Sequence, residues 1–93
     1  MNTNFAELLT LLLQNMVEDA GAVQVHSGTD DMGVLLTVHV AKQDMGKVLG
    51  REGATIAAIR ACMRVVGMKR SARISIRVDE PAPVRYSYPE NGD

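Results

Sequence analysis

The spacing of apolar residues constrains the fold of this chain most, because it switches between the period of a helix and the period of a strand. Between residues 5 and 17 apolar residues recur at helical intervals, which predicts a helix from about Asn4 to Ala20. Asn2 or Thr3 is the expected N-cap, and Gly21 is the expected end of this helix. The first predicted element is therefore an amphipathic helix.

Two stretches after this helix alternate apolar and polar residues, as strands with one buried face do. The first contains Val23 and Val25, and the second covers residues 34–40. The glycines and aspartates of residues 28–33 indicate a connecting loop. We therefore predict a β-hairpin.

The second half of the chain predicts two helices and a strand. Residues 43–49 form a short helical pattern that Gly50 ends. A longer helical pattern opens at Gly53 and is expected to end at Gly67. Its apolar face consists of Ile56, Ile59, Met63 and Val66. Residues 74–78 alternate again and predict a third strand.

The order helix, strand, strand, helix, helix, strand defines the expected architecture. Because helices connect the second strand to the third, these two strands are expected to run parallel with a right-handed crossover. We therefore predict an α+β fold in which three helices pack on one face of a three-stranded mixed sheet. The 93 residues fit one domain, residues 1–79, and the proline-rich residues 80–93 are expected to form a flexible tail.

Charge is distributed unevenly along the chain, although the formal net charge is only −1. Residues 1–41 carry −5 without any Lys or Arg, residues 42–77 carry +7, and residues 78–93 carry −3. The cations of the central block are Lys42, Lys47, Arg51, Arg60, Arg64, Lys69, Arg70, Arg73 and Arg77. Its acids are Asp44, expected to favour the first turn of the short helix, and Glu52. The block predicts either a surface for an anionic partner or a solvated basic face.

Composition excludes several kinds of function. Aromatic residues make up 3% of the chain, too few for a platform of stacked bases. Cys62 is the only cysteine, so neither a disulfide nor a cysteine-based zinc site is expected, and its side chain is expected to be buried. His26 and His39 are expected to stand alone on their strands. Without a P-loop, a catalytic grouping, a signal peptide or a membrane span, we expect a cytoplasmic protein that is no enzyme and uses no metal or cofactor.

A loop between the two predicted helices of the central block suits a phosphate ligand. Gly50 and Gly53 let a ligand approach the backbone, and the second of them opens a helix whose free N–H groups and positive dipole favour an anion. Lys47 and Arg51 add full charges, and Arg60 follows along the helix. Together these groups are expected to track several consecutive phosphates.

KH domains carry a signature that residues 44–60 resemble, which read DMGKVLGREGATIAAIR. The order of elements is similar to the bacterial, type II arrangement, α-β-β-α-α-β, and the short chain is similar to the KhpA-like family of small bacterial RNA-binding proteins. The resemblance covers residues 4–79. It implies binding of a few single-stranded nucleotides, with the loop clamping the backbone and a narrow apolar groove receiving bases without stacking.

The resemblance also assigns positions to individual residues. The implied RNA-binding residues are Lys47, Gly50, Arg51, Glu52, Gly53, Thr55 and Arg60. Three apolar residues either line the groove or fill the core beneath it, namely Val48, Ile56 and Ile59. Glu52 departs from the family pattern, because such loops more often carry a basic or neutral residue there. Its carboxylate is expected to weaken the grip on phosphate.

Two kinds of function follow from this resemblance. One is binding of single-stranded RNA by an RNA chaperone or post-transcriptional regulator; the other is a dimerisation or adaptor module with weak nucleic-acid binding. The resemblance implies a homodimer, or a heterodimer with a larger KH protein of the KhpB or Jag type, linked to cell shape and division. The basic block favours the first function, and Glu52 favours the second. Residue types alone leave single-stranded DNA open as the ligand.

Overall fold

The helices and strands follow the predicted order in residues 4–79, the part of the chain that the computed structural model describes. The regular elements are α1 (Phe5–Gln14), β1 (Gln24–Asp30), β2 (Gly33–His39), α2 (Met45–Leu49), α3 (Ala54–Lys69) and β3 (Ile74–Val78). Short 3₁₀ turns at Ala20–Ala22, Lys42–Asp44 and Arg51–Gly53 join some of them. The predicted flexible tail, residues 80–93, lies outside the described residues.

The three strands form a mixed sheet in the order β1-β2-β3. Strands β1 and β2 pair antiparallel, and β2 and β3 pair parallel, as predicted. The predicted loop over residues 28–33 is wrong, because β1 extends to Asp30 and β2 starts at Gly33. Asp30 Oδ1 accepts the N–H of Met32 at 2.7 Å, which closes the turn locally and lets the strands pair up to it.

One face of the sheet is buried and the other is open, as the period of two requires. Leu36 and Val38 of β2 and Ile76 of β3 are buried, whereas Leu35 is 42% exposed on the opposite side. The helices complete the core with Leu9, Leu13, Val48, Ile56, Ile59 and Met63. The predicted α+β architecture, with three helices on one face of a three-stranded mixed sheet, is therefore confirmed and matches a type II KH fold.

Helix α1 is shorter than its apolar pattern predicts. Its N-cap is Asn4, whose Oδ1 accepts the N–H of Glu7 at 3.1 Å, rather than Asn2 or Thr3. The helix ends at Gln14, well before the predicted stop at Gly21, and Asn15 Nδ2 donates to a backbone carbonyl of the last turn at 2.7 Å. The side chain of Asn15 competes with the helical hydrogen bonds, so the helix ends here. The apolar residues that follow lie in a turn, which still packs on the core.

Helix α3 is longer than predicted, because Gly67 lies inside it rather than at its end. A Cβ at Gly67 would lie 2.5 Å from Ala72 O and 2.9 Å from the Ile74 side chain. Glycine is present because the chain entering β3 crosses the helix at close range. Cys62 is exposed rather than buried, because the core side of this helix runs through Ile59 and Met63.

Candidate nucleic-acid interface

The loop between α2 and α3 turns through three residues with positive φ, at Gly50 (+76°), Glu52 (+55°) and Gly53 (+80°). Gly50 N–H donates to Gly46 O at 2.8 Å and ends α2, and Gly53 N–H donates to Gly50 O at 3.1 Å. The two glycines therefore set the direction in which α3 leaves the loop. Glu52 adopts the same left-handed region with a side chain, which is uncommon outside glycine.

The two glycines have different surroundings. A Cβ at Gly50 would collide with Thr55, lying 2.6 Å from both its backbone N and its Cβ. Thr55, one of the predicted binding residues, is thus packed beneath the loop. A Cβ at Gly53 would meet no atom within 4 Å. The outer side of the loop at Gly53 is therefore open to a ligand.

The N-terminus of α3 provides a site for an anion at this open side. Gly53 is its N-cap and supplies no capping side chain. By the geometry of an α-helix, the N–H groups of Thr55 and Ile56 have no i−4 acceptor within the helix. The helix is 16 residues long, so its first turn carries the full positive end of the helix dipole. A phosphate oxygen is the ligand that this arrangement favours.

The predicted basic residues divide into one that points freely into solvent and two that are engaged. Arg51 is exposed, and within residues 4–79 no acidic group pairs with it. Lys47 Nζ lies 2.7 Å from Glu18 Oε2, and this hydrogen bond raises the pKa of the lysine. Arg60 donates through Nε and Nη2 to the backbone oxygen of Ile76, at 3.3 and 3.2 Å. The structure therefore places Arg60 against β3 rather than at the loop.

Asp44 is a buried carboxylate that organises this side of the site, although the sequence suggested only a helix-end charge. Its side chain is 0% exposed, and its two oxygens accept the N–H groups of Glu18 and Asp19, each at 3.0 Å. The hydrogen bond from Glu18 N–H lowers the pKa of Asp44; that from Asp19 N–H and the charge of Lys47 act in the same direction, and burial opposes them. Asp44 thereby holds Glu18 against Lys47.

Sequence reasoning missed Glu18, because 26 residues separate it from its hydrogen-bond partner Asp44. The available signal was the position of Asp44, three residues before Lys47 in a helical pattern, a spacing at which opposite charges interact. That signal concerns neighbours in one helix. It carries no information about the segment after α1.

The predicted apolar groove residues belong to the core. Val48 is 0% exposed, and Ile56 and Ile59 are each 5% exposed. Of the two alternatives left open by the sequence, the structure therefore supports core packing beneath the loop. Their packing fixes α2 and α3 relative to each other and so fixes the shape of the loop between them.

The open face of the sheet brings together two histidines that were expected to stand alone. The rings of His26 and His39 meet edge to face with centroids 5.2 Å apart, because the register of β1 and β2 makes them diagonal neighbours. His39 Nε2 lies 3.9 Å from Asp79 Oδ2. Within residues 4–79, no three histidine, cysteine, aspartate or glutamate side chains are grouped to hold a metal ion.

Comparison with known proteins identifies the family. The sequence-family model named KhpA/KhpB KH domain matches residues 6–79. This range includes the loop and all six regular elements except the first residue of α1. The chain belongs to this family. The RNA-binding protein KhpA of Clostridium acetobutylicum is 31% identical over 72 residues, covering 77% of this chain and 96% of the relative. The RNA-binding protein KhpA of Chlamydia pneumoniae is 31% identical over 74 residues, covering 80% and 95%.

A third relative in the KhpA group is more distant but covers the same region. The RNA-binding protein KhpA of Listeria monocytogenes is 28% identical over 74 residues, covering 80% of this chain and 97% of the relative. The chain thus contains nearly the full length of these KhpA proteins. Among residues 4–79, no helix is long and apolar enough to cross a membrane.

Proposed function

We propose that this protein binds single-stranded RNA through the loop formed by residues 50–53. The observation that carries this function is the uncapped N-terminus of α3, which opens at Gly53 into free space beside the unpaired charge of Arg51. Backbone N–H groups and one guanidinium contact the RNA backbone there. The KhpA relatives, whose names describe them as RNA-binding proteins, support the choice of RNA over single-stranded DNA.

One loop of this kind gives a weak grip. Arg51, the helix N-terminus and Lys47, once it leaves Glu18, supply about three phosphate contacts, which corresponds to a slope of log K against log salt of about −2 for a single strand. Glu52 is exposed in the same loop and repels phosphate. Useful affinity therefore calls for two or more domains acting together on one RNA.

Weak RNA affinity of a single loop supports an assembly of several KH domains. We propose that residues 1–79 form a single KH domain in the cytoplasm, working as a homodimer or with a larger KhpB or Jag-like KH protein. In that assembly the protein serves as an RNA chaperone or post-transcriptional regulator with effects on cell shape. Exposed apolar side chains support association, namely Leu11, Val65 and Met68, which are 60%, 65% and 70% exposed.

The same exposed residues favour a second candidate function, a dimerisation or adaptor module for which nucleic acid is secondary. Light scattering at high protein concentration tests it. Association into dimers is the expected result for both candidates, and a strict monomer would exclude the adaptor function. The two candidates then differ in whether the loop is needed for RNA affinity.

Fluorescence titration of a labelled single-stranded RNA tests the proposed function. The informative variant is Gly53→Asp, because it places a charge at the open side of the loop, whereas Gly50→Asp would also collide with Thr55. Gly53→Asn is the matched control, because it places a side chain of similar size at the same positive φ of +80° without the charge. One repulsive charge near a phosphate costs about 1–4 kcal/mol, so Gly53→Asp is expected to weaken binding about fivefold or more.

The control and a DNA of the same sequence complete this titration. Gly53→Asn is expected to bind RNA more tightly than Gly53→Asp, and DNA is expected to bind more weakly than RNA. Equal RNA affinity for the wild type and a folded Gly53→Asp protein, checked by circular dichroism, would refute the loop as the binding site. Stronger binding of DNA would leave the loop in place but replace RNA as the ligand.

A further inference from the structure

The hydrogen bonds of β2 show which backbone groups of β1 point out of the sheet. Val34 N–H donates to Arg73 O at 2.8 Å, and Val38 O accepts the N–H of Asp79 at 3.0 Å. Every second residue from Val34 to Val38 therefore turns its backbone groups toward β3. The residues between them turn toward β1, where their partners carry even numbers. The odd-numbered residues of β1 therefore point their N–H and C=O groups to the outside.

These outward-facing residues of β1 are Val25, Ser27 and Thr29. Within residues 4–79, no group bonds their N–H or C=O on the outer side. The opposite edge of the sheet differs, because the Arg60 side chain covers β3 by donating to Ile76 O. In the described part of the chain, β1 is therefore the sheet edge without such a cover.

The sequence and shape of β1 leave its edge open to a further strand. Soluble proteins commonly protect an edge strand with lysine, proline or a β-bulge. β1 reads QVHSGTD, which contains neither lysine nor proline. It also pairs with β2 at every residue without a bulge. Nothing in β1 itself therefore blocks pairing along its outer edge.

A groove beside this edge favours a protein over a nucleic acid. It has a volume of about 510 Å³ and lies between α1 and β1, with Leu11 and Val25 among its walls. Leu11 is 60% exposed there, and Glu7 is the one charged residue among the described walls. Residues 1–41 carry −5 and no Lys or Arg, which disfavours RNA at this edge. A protein strand is the occupant that fits.

We propose that the occupant is β1 of a second copy of this chain, paired antiparallel around a two-fold axis at Ser27. In this register Ser27 lies opposite its own counterpart and Val25 lies opposite Thr29, so all the outward-facing residues are paired. Each pair exchanges two hydrogen bonds, which gives about six bonds between the strands. The two sheets thereby form one continuous sheet. This interface rests on the association proposed above and names the surface for it.

The side chains that meet in this register are compatible. On the helix side of the sheet, Thr29 of the second copy lies beside Val25 and covers part of the groove at Leu11. A pair of β-branched residues is a favourable cross-strand pair. No like charges face each other on the open face of the sheet. The opposing pairs there are Gln24 with Asp30 and His26 with Gly28.

The interface leaves the proposed RNA site free. β1 and β3 are the two outer strands of the sheet, and α1 packs on β1 whereas α3 packs on β3. Pairing through β1 therefore keeps α3 and the loop with Arg51 away from the interface. The dimer presents two loops to one RNA, which is what the weak affinity of a single loop calls for.

Light scattering of the full chain over a range of concentrations tests this interface. Ser27→Lys places two lysines opposite each other at the two-fold axis, and their repulsion is expected to weaken dimerisation about fivefold or more. Ser75→Lys is the matched control, because it makes the same change at an exposed residue of β3. The control is expected to keep the wild-type dimer. Circular dichroism on both variants confirms that the fold is intact.

Disulfide trapping tests the register independently of charge. Cys62 is the only cysteine and is exposed, so the experiment uses a Cys62→Ser background. Hydrogen-bonded residues in antiparallel strands have Cα atoms about 5.5 Å apart, a distance that a disulfide spans. With oxidised glutathione, Ser27→Cys is therefore expected to yield mostly covalent dimer on a denaturing gel. Ser75→Cys, the matched control, is expected to yield little.

The outcomes separate the interface from the association and from the loop. A strict wild-type monomer at high concentration overturns both the interface and the association. Equal dimerisation of the two lysine variants, with equal trapping of the two cysteine variants, overturns the interface and leaves the association in place. Neither readout needs RNA, so failure of the loop as an RNA site leaves this test valid.

A titration with RNA of about four nucleotides completes the test. Ser27→Lys is expected to bind this short RNA like the wild type, because the loop is not part of the interface. A loss of that affinity in the folded variant would overturn the interface, in favour of RNA as the occupant of this edge.

Discussion

At the scale of single residues, the contact between Glu18 and Lys47 regulates how much charge the loop offers. Both side chains are largely exposed, at 72% and 46%, so water screens their attraction and the ion pair is weak. A phosphate can therefore displace Glu18, but only at the expense of that pair. The affinity for RNA that we propose for the loop is therefore lower than the count of its cations suggests.

Removing this competitor is expected to strengthen binding. Glu18→Gln should raise RNA affinity about twofold to fivefold, because it frees Lys47 and deletes one negative charge near the site. Fluorescence titration measures the change. Glu7→Gln is the matched control, as it removes the same charge from the first turn of α1. If both variants bind equally well, the gain reflects net charge and not the contact with Lys47.

Asp44 predicts a dependence of stability on pH. Its pKa is lowered in the folded state, so its stabilising effect is fully present above the unfolded value of about 4 and is lost as pH falls through the lower folded value. Asp44→Asn is expected to lower Tm at pH 7 and to make Tm less sensitive to acid, as measured by thermal unfolding between pH 7 and pH 2. Asp31→Asn, in the hairpin turn, should keep the wild-type profile. An unchanged acid response in Asp44→Asn would contradict the assignment.

The residues of the loop could be predicted from sequence, because they are local. Gly50 and Gly53 act through their own backbone and through chain neighbours within a few positions. The contacts of Asp44 with Glu18 and the pairing of His26 with His39 depend on segments that meet only in the folded chain. Spacing along the sequence carries no signal for such contacts.

At the scale of elements, the two helical glycines Gly46 and Gly67 differ in what surrounds them. A Cβ at Gly46 would meet no atom within 4 Å, whereas one at Gly67 would collide with the chain entering β3. Gly46→Ala is therefore expected to stabilise the protein by about 0.5–1 kcal/mol through helix propensity. Gly67→Ala is expected to destabilise it by about 1–3 kcal/mol through overpacking.

Chemical denaturation of the two variants measures this difference. Each serves as the control for the other, since the substitution and the type of element are the same. Stabilisation by Gly67→Ala would show that α3 and β3 can separate at their junction without cost. That result would contradict the close packing between α3 and the chain entering β3.

The ends of elements were the least predictable from sequence. The pattern of apolar residues gave the existence and type of all six elements correctly, because burial of one face imposes their period. The end of α1 depends on the side chain of Asn15, and the continuation of α3 through Gly67 depends on packing against Ile74. Both are decided by contacts that compete with the local signal.

At the scale of the whole molecule, the connectivity could be predicted because few arrangements fit it. Two helices between the second and third strands require a parallel pair, and the adjacent first and second strands favour a hairpin. The core is aliphatic, as the 3% aromatic content implies, and its buried members include Leu9, Leu36 and Ile59. The open face of the sheet and the exposed apolar side chains were not apparent, since exposure depends on how helices cover the sheet.

The uneven charge along the sequence also places cations and acids on separate parts of the folded protein. The cations concentrate from the loop along α3 to the start of β3, and the acidic first half contributes Glu18 beside Lys47 and Asp30 and Asp31 near Arg73. Acidic groups thus border this basic surface at both of its ends. Such a charge arrangement favours an anion on the surface between them.

An NMR titration of the ¹⁵N-labelled protein with single-stranded RNA of about four nucleotides shows which surface of the protein the RNA contacts. Amide shifts are expected to change at Arg51, Gly53 and Thr55, whereas the amides of Gly28 and Thr37 on β1 and β2 stay unchanged. Shift changes centred on the open face of the sheet, or none at saturating RNA, would contradict RNA binding by this loop.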